Sequence, residues 1–359
     1  MSSRTAPLLG WLACLIVVTG STLAAPPSSL SGLVTKVNLT DAQKEDIKQY
    51  ADHYLGLLQN GGIDDVMRAR TKLIDPMVNA MSGSSSLFRA TYANDILPTL
   101  EKIIDMDDTY RSVNALQVAG FLGTESTVNL LVEKTNSSTE PTASKRLWAV
   151  IALRESITRG DLTSRKISSA ARDLARASEE ENDWTVLMRE FETMSNIARS
   201  PMEKERGGEE LRSLGRRLQL QMVVNTINRI LNQDEMASAE LLQALRPSIL
   251  DIRQQYIDPQ LMDHRREVGL GVAPQLGRVY DVILLHFDAL RSNPELLRVA
   301  GITLRLSEET LKLIDSDLRK GTAITADSTA PWANAQRSVI QENRDVWADI
   351  LSKAPYDGR

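Results

Sequence analysis

From about residue 40 onward, apolar residues recur at three- and four-residue intervals almost to the C-terminus, and no alternating run of β-branched residues bounded by turns interrupts them. A chain written in that period buries its apolar stripes only by packing helix against helix. The expected class is all-α: stacked antiparallel helix pairs, as an α-solenoid-like stack or an irregular multi-helix bundle. With 359 residues, 42% hydrophobic and 25% charged, the chain has enough apolar content for one large or two ordinary domains, which excludes wholesale disorder.

Local signals divide the pattern. Thr40 and Gln43 form a capping box, and Ile47, Tyr50, Ala51, Tyr54 and Leu58 then share a helical face, ended by Gly61-Gly62. A second helix is expected over about 63–81, kinked at Pro76, and a third over about 87–106, interrupted at Pro98. Ser200, Pro201 and Glu203 read as a helix start that Gly207-Gly208 weakens at once, so 199–209 is the best domain boundary. Gly269, Gly271 and Pro274 read as a loop before a helix, and Asn293 as the cap of a long helix that is apolar on two sides. Pro331 is expected to open a last helix facing Val339, Val346, Trp347, Ile350 and Leu351 inward. The regions so marked are a lead-in over 25–37, helical regions over 38–200 and 201–320, a linker over 321–330, and a C-terminal helix and tail over 331–359.

Between about 107 and 178 the helices shorten. Arg111 to Leu122 carries Val113, Leu116, Ala119 and Gly120 on one side; Gly123-Thr124 turns the chain, and Val128, Leu131 and Val132 make the next stripe. A second such unit begins at Lys145 and turns at Gly160-Asp161. This stretch resembles HEAT-type helical repeats, in which two antiparallel helices touch through small residues and turn on a glycine. The resemblance implies stacked helix pairs and an extended face for binding another protein.

The N-terminus has the layout of a secretory signal peptide over 1–24: Arg4, an apolar run from Leu8 to Val18, then small polar residues. Thr22 and Ala24 place cleavage between Ala24 and Ala25. The run is too short for the roughly 20 residues of a bilayer span, so no transmembrane segment is expected in the mature chain. Cys14, the single cysteine, falls inside the removed segment, which leaves no thiol or disulfide chemistry. The expected location is outside the cytoplasm, periplasmic or extracellular. Asn38 and Asn136 sit in glycosylation sequons that matter only in a eukaryotic secretory route.

No stretch carries recognisable catalytic chemistry. His53, His264 and His286 have no ligand spacing among them, and the Asp105-Asp107-Asp108 run lacks both the glycine and the terminal glutamate of a calcium loop. Gly269-Leu270-Gly271 follows no strand, which removes the dinucleotide reading. No metal or cofactor is expected. Net charge −5 and 4% aromatic content argue against nucleic acid, which needs a basic face or stacking side chains. The expected function is that of an exported, non-enzymatic helical scaffold or protein-interaction protein binding another protein or an envelope component. The alternative is a hydrolase or small-ligand-binding protein with its site between the two helical halves, near 199–209 and Gly269 to Gly277.

Overall fold

The computed structural model describes residues 29–78, 83–232, 239–259, 264–320 and 324–356. The expected cleavage position at Ala24 and Ala25, Cys14, Met81 and the start of the 321–330 linker lie outside them. Among the described residues there are fifteen α-helices and no strand. They are α1 (Asp41–Asn60), α2 (Ile63–Val78), α3 (Ser86–Ile104), α4 (Thr109–Leu122), α5 (Glu125–Thr135), α6 (Ala143–Arg159), α7 (Ser164–Ala177) and α8 (Trp184–Ala198). There follow α9 (Gly208–Asn232), α10 (Leu242–Ile257), α11 (Arg265–Leu285), α12 (Phe287–Ser292), α13 (Pro294–Arg319), α14 (Thr329–Ala333) and α15 (Arg337–Leu351). The protein is all-α, a stack of helix pairs.

The stack has two layers. Helices α2, α4, α6, α8, α10 and α13 pack side by side in one, and α1, α3, α5, α7, α9, α11 and α15 in the other. Short connections turn the chain back between α1 and α2, α3 and α4, and α5 and α6, so these partners pair across the layers. Along the first layer, Arg154 of α6 reaches Glu192 of α8 at 2.9 Å, and one turn further on Thr158 reaches Asn196 at 3.3 Å. Equal four-residue steps on both helices mean that α6 and α8 run parallel, in register. One continuous cluster of buried apolar side chains extends from Leu30 to Tyr356, passing 199–209 because α9 packs on both α7 and α8.

Helix ends follow local chemistry. The Thr40–Gln43 capping box forms in both directions, and Asn293 accepts from the amides of Glu295 and Leu296 with Pro294 in the first turn. At Ser200 the outcome differs from the sequence expectation. The segment makes a single 3₁₀ turn, Lys204–Arg206, and the long helix starts only at Gly208. Gly207 has φ 84°, the left-handed region, and a Cβ at Gly208 would lie 1.9 Å from the Met202 carbonyl oxygen, so the glycines build a tight reversal here.

Three further readings change. The stretch from Gly269 to Gly277 is not a loop but the body of α11, which also runs through Pro274. Its glycines are packing positions. A Cβ at Gly269 would meet Ile314 and Tyr256 side chains at 3.0 and 3.1 Å, and one at Gly277 would meet Leu351 at 2.6 Å. Helix α11 is also the one described helix long and apolar enough to cross a membrane, and half of its most apolar window is buried within the stack. Val346 is 46% exposed, whereas Ile340, Trp347, Ile350 and Leu351 of α15 are buried. Residues 29–37, read as a lead-in, form turns that bury Leu30 and Val34, and Ser85 ties them down through the Val34 and Lys36 carbonyls.

The C-terminal segment is held on α13 by two buried carboxylates seven residues apart. Glu308 accepts from the Tyr280 hydroxyl and the Ser328 amide, both at 2.9 Å, and Asp315 accepts from the Tyr356 hydroxyl at 3.1 Å and from Arg319 at 2.6 Å. These bonds from buried carboxylates fix the register of the covering segment on the helix.

Candidate functional site

An open cleft of about 570 Å³ crosses α6, α8 and α10, with α9 behind it. Helix α8 supplies its middle wall, because Met188, Glu192, Ser195 and Arg199 recur at helical spacing on one face. Phe191 and Pro247 form an apolar floor, and Leu250, 44% exposed, stands at the rim. A smaller cavity of about 310 Å³ adjoins it, sharing Thr158 and Asn196 and extending toward Arg206.

Pro247 lies inside α10 and has no N–H, so the Gln243 carbonyl lacks its helical donor. Beside it Ser248 is only 2% exposed, lines the cleft, and its hydroxyl has no hydrogen-bond partner. Charged groups flank this floor in two networks. Glu192 accepts from Arg154 at 2.9 Å and from Arg189 at 2.7 and 2.8 Å. Asp251 pairs with Arg199 and accepts from Gln219 and Gln255, each at 2.8 Å, while Ser195 takes a further Arg199 donor at 3.0 Å. A third acid, Glu155, is held by Arg159 at 2.7 Å. The pairings of Glu192 and Asp251 hold Arg154, Arg189 and Arg199 in fixed orientations beside the floor.

The histidines do not join this site. His264 and His286 flank opposite ends of α11, roughly 30 Å apart at 1.5 Å per residue. His286 is buried with Nε2 3.1 Å from the Ile230 carbonyl, and His53 is exposed with its ring edge-on to Tyr54. Among the described residues no group of His, Cys, Asp and Glu is arranged to hold a metal. Asp108 caps α4 through the Arg111 amide, and Asp105 pairs with Lys134 at 2.6 Å, so the acidic run serves a helix junction.

On the face of α8 turned away from the cleft lies a buried charge cluster. Arg146 binds Glu181 through two donors, at 2.6 and 2.9 Å, and also donates to the Glu140 and Pro141 carbonyls. Arg229 donates to the Glu179 and Glu181 carbonyls. Glu190 is fully buried, and neither carboxyl oxygen has a hydrogen-bond partner. Burial raises its pKa far above the usual carboxylate range; Glu181 adds to this, and Arg146 and Arg229 oppose it. The folded chain therefore holds this proton more tightly than the unfolded chain. The stabilisation is complete below the ordinary glutamate value of 4.5 and is lost as pH rises through the folded-state value. Glu190→Gln should abolish that decline, so its urea midpoint should gain on wild type between about pH 5 and about pH 8. Parallel pH profiles for the two proteins would show that Glu190 is ionised in the folded state.

Neither Glu190 nor the cleft was singled out from sequence. A signal for the first exists: Glu190 interrupts the apolar line Val186, Leu187, Met194, Ile197 at helical spacing. The cleft has none, since its parts lie about forty to a hundred residues apart. In comparisons with known proteins, no family model and no curated protein matches this chain.

Proposed function

We propose that this chain is an exported, non-enzymatic helical scaffold that holds a segment of another protein in the cleft across α6, α8 and α10. The observation that carries the reading is the state of the cleft's acids: Glu192 and Asp251 are each tied to arginine, and Glu155 to Arg159. A surface so arranged offers fixed donors and apolar contacts over three successive helices, which suits recognition. The volume also suits a small ligand, which keeps a binding protein for a small molecule as the second reading.

Export rests on the order of the N-terminal residues. The secreted form should begin at Ala25, read as the intact mass of protein recovered outside the cytoplasm, and Ala24→Leu should leave the precursor uncut. A protein recovered inside the cytoplasm with residues 1–24 still attached would remove this part of the proposal. For the scaffold itself, a polypeptide captured by the tagged chain is repurified and titrated against wild type and Leu250→Glu. Binding to wild type that falls at least about tenfold with the variant supports docking in the cleft. Equal binding to both places the partner elsewhere.

A further inference from the structure

We propose that the groove between α13 and α14 binds a small amphipathic carboxylate, an apolar body whose single carboxylate pairs with Arg298. This site stands apart from the scaffold reading, because the groove shares no lining residue with the cleft across α6, α8 and α10. Its volume of about 420 Å³ lies in the range of small-molecule sites. The floor is set by a tryptophan seated against a glycine. Trp332 of α14 donates from Nε1 to the Leu297 carbonyl at 3.0 Å, and a Cβ at Gly301 would meet its ring atoms at 2.7 and 2.8 Å. Phe287 packs edge-on to the indole at 5.4 Å between ring centres, and the Arg291 guanidinium lies over it. So held, the indole joins Leu297, Ile302 and Ala333 in a preformed apolar surface.

Charge selects the ligand. Two guanidinium groups, Arg298 and Arg305, line the groove, and no carboxylate does. They stand seven residues apart, hence on one face of α13. The acids in the neighbourhood have other commitments. Glu309 lies 4.0 Å from Arg305 but accepts from Arg253 at 2.8 Å, and Asp327 caps α14 through the Thr329 amide at 2.9 Å. Glu295, three residues before Arg298, makes no ion pair with it. Among the described residues Arg298 has no hydrogen-bond or ion-pair partner, so its whole fork is open to a planar anion. A cation would be repelled by both guanidinium groups. A bare inorganic anion would leave the apolar floor in water, and an uncharged apolar molecule would leave Arg298 unpaired. A carboxylate joined to an apolar body meets both surfaces at once.

The test titrates the purified protein with octanoate, octylammonium, butyrate and inorganic phosphate, followed by amide NMR. Octanoate should shift the amides of Gly301 and Ala333 and bind at least about tenfold more tightly than the other three. Arg298→Gln should weaken octanoate by at least about tenfold, and Arg305→Gln by less, because Glu309 already shares that charge. Ala333→Glu, which adds a carboxylate to the groove wall, should abolish binding. All three positions are exposed, so the melting curves should stay near that of wild type. Octylammonium binding as tightly as octanoate would overturn the selection for an anion. Phosphate or butyrate binding as tightly would overturn the apolar half of the ligand. Octanoate binding unchanged in Arg298→Gln and Ala333→Glu would overturn the groove as its site, and so would the absence of octanoate binding. None of these outcomes bears on docking in the cleft, which Leu250→Glu tests separately.

Discussion

Replacing Arg146 with alanine should lower the unfolding free energy by about 3–5 kcal/mol, because it strands a buried carboxylate. Glu181 is 1% exposed and receives two of its hydrogen bonds from this guanidinium. Without it, the Glu181 charge would face Glu190, a buried acid with no hydrogen-bond partner of its own. The Glu140 and Pro141 carbonyls would lose donors as well, at about 1 kcal/mol each. Urea unfolding followed by circular dichroism reads the loss directly. The double variant Arg146→Met with Glu181→Met separates pairing from packing. It should recover most of the single variant's deficit, since an apolar pair of similar volume needs no desolvation to be repaid. A single variant within about 1 kcal/mol of wild type would mean that the pair is hydrated and its burial overstated.

The second large effect is expected at Gly120. This glycine lies where α4 meets α6, and a Cβ there would sit 2.9 Å from Ala152 Cα and 3.1 Å from its carbonyl oxygen. Both are backbone atoms, so no side chain can rotate away. Gly120→Val should force the helices apart and cost about 3 kcal/mol or more, near the upper end of overpacking penalties. Gly56, on an exposed face of α1 with nothing within 4 Å of an added Cβ, is the control; Gly56→Ala should be neutral or slightly stabilising. Thermal melting of the two variants side by side checks the contrast. Comparable melting temperatures would contradict the close approach of α4 and α6.

That glycine also shows how far sequence reasoning reaches in a helical stack. Gly120 was legible as a small residue on a helix face, but its contact is with the next pair in the stack rather than with its own hairpin partner, α5. Caps at Thr40 and Asn293 were readable because the bonding groups lie within three residues of each other. Gly269, Gly271 and Gly277 were misread because glycine has one local meaning, a turn, and another that depends on a partner helix far along the chain. Val346 was misplaced by one helical position from Trp347, which is enough to turn a residue from core to solvent.

The cleft was beyond local reading for the same reason. Arg154 and Glu192 are thirty-eight residues apart and Arg199 and Asp251 fifty-two, and only the side-by-side packing of α6, α8 and α10 brings them together. Glu190 shows the opposite case: its place on the apolar face of α8 is plain in the heptad-like spacing, and the physical consequence follows once that face is known to be buried. The alternative reading placed a site near 199–209 and Gly269 to Gly277; of those residues Arg199 alone lines the cleft, and Gly269 to Gly277 is the body of α11.

The central claim, that the stack recognises its partner through the cleft, is tested most directly by site-specific photocrosslinking. A photoreactive phenylalanine is placed at Leu250, on the rim of the cleft, or at Val346, equally exposed on α15 in the other layer. Each protein is illuminated in its own host, and the adducts are repeated with the purified partner. An adduct with one defined segment of the partner is expected at Leu250 and none at Val346. Crosslinks of equal yield at both positions, or at Val346 alone, would contradict it.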